Sequence, residues 1–141
     1  MLKLSLALLL AVGLAGSAVA RPVLNPKARV MPPKEFDKPY TGNLVVTRVK
    51  SYEEVYASCP DVAYKGMTAC MTSKDGVCKI TMVSDSVLEE LGIPPYLVLR
   101  HELGHCNGWP KDHPNARTIE EAVASELLIP GVSKPDWTAA R

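Results

Sequence analysis

Residues 101–113 read HELGHCNGWPKDH, with two histidines four positions apart and a third eight positions later. Side chains four residues apart lie on the same face of a helix, so the imidazoles of His101 and His105 can bind one metal ion from a single element. Glu102 projects about 100° around the helix from His101, where a carboxylate can take a proton from a metal-bound water. The spacing therefore predicts a metal site on a helix, with Glu102 as its general base.

The sequence around these residues favours a metal site over an ordinary solvated helix face. All three histidines of the chain fall between positions 101 and 113. Apolar residues precede the motif, and the prolines at positions 94 and 95 suit the first turn of a buried central helix. Gly108 can adopt the left-handed conformation that ends a helix, and the Trp-Pro pair after it lets His113 return towards the metal.

The third ligand has three candidates. A catalytic zinc ion usually has three protein ligands and an open fourth position. Ligand preference favours His113, which gives the set His101, His105 and His113, while Asp112 and Glu121 are the alternatives. If His113 is the ligand, Asp112 can still accept a hydrogen bond from an imidazole. The predicted cofactor is therefore zinc.

The stretch HELGHCNGWPKDH resembles the extended HExxHxxGxx(H/D) signature of the metzincin clan of zinc metallopeptidases, including its small secreted members. In that clan the two motif histidines and a His or Asp after the Gly bind zinc, and the Glu is the general base. The resemblance implies zinc at His101 and His105, the base at Glu102 and a chain reversal at Gly108. It covers only residues 101–113 of the chain.

The chain departs from the metzincin pattern in two ways. The third ligand of the clan lies six residues after the second His, where this chain has Lys111, and His113 comes two residues later. Metzincins also carry a methionine turn downstream of the motif, but no Met follows Met82. The residues around Glu121 resemble, more weakly, the glutamate helix of gluzincins. The clan therefore stays open within the zincin-type HExxH peptidases.

These features predict a secreted zinc-dependent metallopeptidase that hydrolyses peptide bonds with a metal-bound water and Glu102 as general base. The expected substrate is a protein or peptide, with peptidoglycan as an alternative. Arg117, Tyr96 and Tyr64 are candidate donors to the oxyanion. An alternative function is a small exported zinc-binding protein with a structural, non-catalytic metal site.

The first twenty residues have the three parts of a secretory signal peptide. Lys3 supplies the positive region, residues 4–14 form an apolar core, and residues 18–20 are a small-residue cleavage site. The apolar core is too short to span a membrane comfortably. We therefore expect a secreted or periplasmic protein with no membrane partner after signal removal.

Residues 21–42 hold five of the twelve prolines of the chain. This composition favours an extended arm instead of a folded element. The arm could pack along the domain, be a flexible leader or serve as a removable pro-segment. The sequence leaves these three alternatives open.

Removal of the signal would leave 121 of the 141 residues, enough for one compact domain. The remaining 15 basic and 15 acidic residues give a net charge near zero. Such a chain has no electrostatic footprint for nucleic acid and no polybasic membrane patch. We expect a monomer in which residues 43–141 form the zincin-like domain.

Four cysteines, at positions 59, 70, 78 and 106, suit two disulfides in an exported protein. We favour a Cys70–Cys78 bridge, because residues 73–76 resemble a hairpin turn that would place the two cysteines opposite each other. A Cys59–Cys106 bridge would then restrain the end of the metal helix. A zinc–cysteine site is the competing interpretation, but the chain has no C-x₂-C pair.

Periodicity and capping signals predict an α+β fold. We expect a small antiparallel or mixed sheet of about three strands packed on the central HExxH helix, plus a C-terminal helix. Ser51 with Glu54, and Thr118 with Glu121, have the spacing of capping boxes. The predicted strands lie at residues 44–49, 67–71 and 77–83, and the predicted helices at residues 51–58, 85–91, 94–108 and 118–128.

Overall fold

The structure is a computed structural model that describes residues 24–61, 64 and 66–127. The predicted signal peptide lies outside these residues. The described elements, in chain order, are β1 (Arg29–Met31), β2 (Asn43–Val49), α1 (Tyr52–Ser58), β3 (Ala69–Lys74), β4 (Val77–Val83), α2 (Asp85–Glu90), α3 (Pro95–Cys106), β5 (Arg117–Thr118) and α4 (Ile119–Leu127). This mixture of helices and small sheets confirms the predicted α+β class.

The larger sheet has three strands in the order β2-β4-β3, with β4 in the centre. β2 runs parallel to β4 and β3 runs antiparallel to it, so the sheet is mixed. Asp75 and Gly76 have φ values of 52° and 74° and form the two-residue turn between β3 and β4. An Asp-Gly pair favours this turn because both positions need a positive φ.

The three predicted strands are present in this sheet. The prediction for residues 77–83 matches β4, and that for residues 44–49 matches β2 to within one residue. β3 is shifted from the predicted residues 67–71 to residues 69–74. Along β4, Cys78, Ile80 and Met82 are buried and Lys79 is exposed, as alternation along a strand predicts; Val83, on the same side as Lys79, is buried as well.

The central helix, α3, packs on β3 and β4. Pro95 lies in its first turn, as predicted, where a missing N–H costs no hydrogen bond. The helix ends at Cys106, and Gly108 then takes a left-handed φ of 99°. The core joins leucines of this helix to strand residues, including Leu99, Leu103, Ile80 and Met82.

Both predicted capping pairs form hydrogen bonds. Ser51 caps α1, because its hydroxyl accepts from the backbone N–H of Glu54 at 3.3 Å. Thr118 and Glu121 form a reciprocal pair at the start of α4. The Thr118 hydroxyl accepts from the backbone N–H of Glu121 at 3.1 Å, and the Glu121 carboxylate accepts from the backbone N–H of Thr118 at 2.8 Å. These local signals fix where the two helices begin.

The disulfides differ from the favoured pairing. The bonded pairs are Cys59–Cys70 and Cys78–Cys106. The hairpin register places Cys70 opposite Thr81, and Cys78 opposite Ser73. The tight Asp-Gly turn therefore points the Cys70 and Cys78 side chains to opposite faces of the sheet, where they cannot bond. Each cysteine bonds instead to a helix end: Cys59 follows α1 and Cys106 ends α3.

The Pro-rich arm contributes a strand and core residues to the fold. β1 pairs antiparallel with β5, with Arg29 opposite Thr118 and Met31 opposite Arg117. Met31 and the two prolines that follow it are buried. The sequence did not predict this second, two-stranded sheet, which joins the beginning of the described chain to the region after the metal motif.

Two disulfides in so short a chain are compatible with an extracellular protein. Among the described residues, no helix has both the length and the hydrophobicity that crossing a membrane requires.

Candidate metal centre

The structure brings the three histidines of the chain together. His101 and His105 lie on successive turns of α3, and His113 comes from the loop after the helix. The Nε2 atoms of His101 and His105 are 3.2 Å apart, and that of His113 lies 3.2 Å from the first and 3.1 Å from the second. The three ring nitrogens therefore converge on one point.

The loop that carries His113 is folded back by local hydrogen bonds. After Gly108, the N–H of Trp109 donates to the carbonyl of Gly104 at 3.0 Å. A turn then closes from the N–H of His113 to the carbonyl of Pro110 at 3.1 Å, and His113 itself has a positive φ of 56°. This turn directs the His113 side chain back towards His101 and His105.

Hydrogen bonds at the far side of two rings determine which nitrogens carry a proton. His101 Nδ1 lies 2.5 Å from the carbonyl oxygen of Val30, and His105 Nδ1 lies 2.9 Å from that of Trp109. A carbonyl only accepts, so in each neutral ring the hydrogen is on Nδ1 and Nε2 has a bare lone pair. Two such lone pairs facing each other repel, unless a cation lies between them.

The spacing of the donors fits a tetrahedral metal ion. Two nitrogens bound to zinc at 2.0–2.1 Å with a tetrahedral angle lie about 3.3 Å apart, close to the separations seen here. The three histidines can therefore hold a metal ion. In the described part of the chain, neither Asp112 nor Glu121 belongs to this cluster: Asp112 is exposed, and Glu121 caps α4.

An indole ring packs against all three imidazoles. The ring centroid of Trp109 lies 5.3, 4.9 and 4.8 Å from those of His101, His105 and His113. Trp109 is buried, and its Nε1–H donates to the carbonyl of Pro114 at 2.9 Å. The histidines therefore rest on a fixed apolar surface, which limits how far their rings can turn.

Burial keeps two of the imidazoles neutral. Desolvation lowers the pKa of His101 to about 4 from 6.5, with smaller contributions from the other two histidines. Desolvation also lowers the pKa of His105. Since only neutral imidazole binds a metal, protons do not compete for these two rings at neutral pH.

Glu102 lies in the same cavity as the histidines. Its side chain is buried, and it has no hydrogen-bond partner among the described residues. Desolvation raises the pKa of this carboxyl to about 8, while a nearby cation would favour the ionised form. The protonation state of Glu102 therefore depends on whether a cation is bound beside it.

The cavity has a volume of about 690 Å³ and is lined largely by apolar side chains. Helix α3 supplies Leu97 and Val98, and the edge strand β3 supplies Ala69 and Met71. Lys111, an exposed residue of the histidine loop, also lines it. The histidines and Glu102 therefore lie in the wall of a cleft large enough for an apolar side chain of a ligand.

The three candidate oxyanion donors lie in different places. The guanidinium of Arg117 is held by Asp37, the carbonyl of Pro32 and Ser125, which leaves it engaged in the fold. Tyr96 does not line the cavity, whereas Tyr64 does. Tyr64 is thus the candidate whose position allows contact with a ligand.

Sequence reasoning missed three supporting residues. The sequence predicts that Trp109 and Pro110 turn the chain back after the helix, but it does not predict that the Trp109 indole packs against the three imidazoles. Val30 acts through its backbone carbonyl, so its side chain gives no hint. Asp37, described below, contacts arginines far along the chain and has no local pattern that marks it.

In comparisons with family models, curated proteins and solved structures, nothing matched this chain.

Proposed function

We propose that the protein is an exported zinc-dependent metallopeptidase. The observation that supports this most directly is the convergence of three Nε2 atoms beside the buried carboxylate of Glu102, within one cavity. Three nitrogen donors and a neighbouring carboxylate are the set that hydrolytic zinc sites use. The HExxH spacing of His101, Glu102 and His105 agrees with this set.

In this proposal His101, His105 and His113 hold the ion. Zinc bound there would lower the pKa of a water molecule towards about 7 and polarise the carbonyl of the scissile bond. Glu102 accepts a proton from the attacking water and passes it to the leaving amine. Burial of Glu102 removes competing water from its carboxyl. Tyr64, which lines the same cavity, is the proposed donor to the oxyanion.

The substrate is a protein or peptide segment whose apolar side chain enters the cavity. The apolar lining from α3 and β3 favours such a side chain over a charged one. Cross-links of peptidoglycan are the alternative amide substrate of an exported protein. The two disulfides suit either extracellular setting.

A structural zinc site is the second candidate function, and the donor count argues against it. Structural zinc usually takes four protein ligands. Among the described residues the cluster has three, and all four cysteines are in disulfides. A fourth position open to water or substrate fits catalysis better.

The test uses the full exported chain, loaded with zinc and freed of excess metal. We expect cleavage of denatured proteins or apolar peptides, followed by the appearance of new amino termini. Glu102→Gln should lower the rate about 10²- to 10⁴-fold with the zinc content unchanged. Glu120→Gln, an exposed glutamate of α4, is the matched control. The proposal fails if the zinc-loaded protein cleaves no protein, peptide or cell-wall substrate.

A further inference from the structure

The Pro-rich arm contacts α3, the helix that carries His101 and His105, at several points. The side-chain amide of Asn107, just after α3, donates to the carbonyls of Phe36 and Lys38 at 3.0 and 2.7 Å. Pro32 packs on Gly104, where a β-carbon would lie only 2.7 Å from the Pro32 Cβ. The glycine within the HELGH motif therefore makes room for the arm.

Asp37 connects the arm to α3, which carries His101 and His105, and to the segment that follows the His113 loop. It accepts from Arg100 Nε at 2.6 Å and Nη2 at 2.5 Å, and also from Arg117 Nη2. Arg100 directly precedes His101 on α3, while Arg117 begins β5, four residues after His113. The Asp37 and Arg100 side chains are only 3% and 2% exposed, so this pairing is screened very little by solvent.

The arm also orients a metal-binding ring directly. The carbonyl of Val30 is the partner of His101 Nδ1, and it lies in the middle of β1. Pairing with β5 holds β1 in place, since its neighbours Arg29 and Met31 lie opposite Thr118 and Arg117. A backbone carbonyl on the far nitrogen of a ligand histidine fixes which nitrogen faces the metal.

The same segment forms one wall of the cavity. Four residues of the arm line it: Leu24, Ala28, Val30 and Met31. Residues of β3, an edge strand of the larger sheet, also line it. Removal of the arm would therefore open the cleft and also free the ring of His101.

We propose that residues 28–38 are a permanent part of the metal site and not a removable pro-segment, with Asp37 as the positioning residue that docks them. This inference rests on the proposed metal site but does not require peptidase activity. Asp37 acts through Arg100 and Arg117 on the helix that carries His101 and the loop that carries His113.

The first experiment measures zinc affinity of the full chain by competition with a chelator. Asp37→Asn should weaken zinc binding about 10- to 100-fold, as loss of residues that support metal ligands does. The matched control is Asp85→Asn, which removes the exposed Asp85–Arg48 ion pair and should change affinity less than about twofold. Cobalt substitution should give an altered visible spectrum in Asp37→Asn alone, which a general loss of stability would not produce.

A second variant and a second measurement keep the inference falsifiable if Asp37→Asn does not fold. Arg117→Lys keeps the charge but loses the forked donor geometry, and it should show a smaller loss of zinc affinity. Mass spectrometry of the zinc-bound exported protein should find residues 28–38 still attached.

Two results would overturn the inference: unchanged zinc affinity in a folded Asp37→Asn protein, or a zinc-bound mature form that begins after residue 38. A wild-type protein that binds no zinc would instead refute the proposed function itself.

Discussion

The indole of Trp109 stacks on the imidazole of His105, with an interplanar angle of 15° and ring centroids 4.9 Å apart. The backbone carbonyl of the same tryptophan accepts from His105 Nδ1. One residue therefore fixes both the plane of this ring and its tautomer. The same buried indole also contacts the rings of His101 and His113.

We expect Trp109→Leu to weaken zinc binding about 10- to 100-fold, because the flat surface beneath the rings is lost. Trp109→Phe keeps an aromatic face and should lose less. Chelator competition measures both affinities. In a Trp137→Phe background Trp109 is the only tryptophan, so cobalt binding should quench its fluorescence. Equal affinity of the Leu and wild-type proteins would show that the stacking has no role in zinc binding.

The choice of third ligand can be tested with three single variants. His113→Ala should lower zinc affinity by several orders of magnitude, since it leaves two protein donors. Asp112→Asn and Glu121→Gln should leave affinity nearly unchanged, because neither residue belongs to the histidine cluster. Zinc content after dialysis against a weak chelator is the measurement. A zinc site that survives His113→Ala would contradict the proposed ligand set.

Glu102 should make the stability of the metal-free protein fall as pH rises. Its pKa is about 8 in the folded state, compared with 4.5 for an ordinary exposed glutamate. The folded state therefore binds a proton that the unfolded chain has released, and the free energy of unfolding decreases between these pH values. Glu102→Gln removes this dependence.

The measurement is the urea midpoint in the presence of a chelator, at about pH 5 and about pH 8. Glu102→Gln should match wild type at the lower pH and be more stable at the higher. The lowered pKa of His101 affects both proteins equally, and it acts in the opposite direction, between about pH 4 and 6.5. Parallel curves for the two proteins would contradict the buried-carboxyl interpretation.

Tyr64→Phe should reduce kcat about 10²- to 10³-fold if its hydroxyl stabilises the oxyanion. KM and zinc content should stay close to those of wild type, because the aromatic ring remains. Tyr96→Phe is the matched control, since Tyr96 does not line the cavity. Equal kcat in the two variants would assign the oxyanion donor elsewhere.

The two disulfides should differ in their effect on the metal site. The Cys78–Cys106 disulfide closes a loop of 28 residues, which corresponds to about 3.6 kcal/mol of stabilisation. The Cys59–Cys70 disulfide closes a loop of 11 residues, which corresponds to about 2.8 kcal/mol. Replacing either pair with serine should therefore destabilise the fold. Only loss of the Cys78–Cys106 disulfide should also weaken zinc binding, because Cys106 is the last residue of α3 and directly follows His105. Similar zinc affinities of the two double variants would argue against this link.

Local sequence signals predicted much of the fold and the histidine cluster. Proline in the first turn, the capping residues Ser51 and Thr118, and a positive-φ glycine each act within a few residues. The alternation along β4 and the four-residue spacing of the histidines are equally local. Such features need no knowledge of where distant segments lie.

Apart from the stacking of Trp109 on His105, the features that sequence reasoning missed depend on long-range placement. The disulfide pairing follows from a hairpin register in which Cys70 and Cys78 face opposite sides of the sheet. The ion pairs of Asp37 connect residues more than sixty positions apart. The Val30 carbonyl is invisible in any side-chain pattern. Each requires the assembled fold.

The pairing of β1 with β5 determines at which stage of folding the metal-binding geometry can form. Val30, whose carbonyl orients His101, and the ligand His113 lie more than eighty positions apart in the sequence. The ligand geometry therefore forms only after β5 has paired with β1 of the arm. If the chain is exported as its first twenty residues predict, it threads through the translocation machinery amino end first. The proposed hydrolytic centre would then assemble only beyond the membrane, which would protect the proteins of the cell that synthesises it.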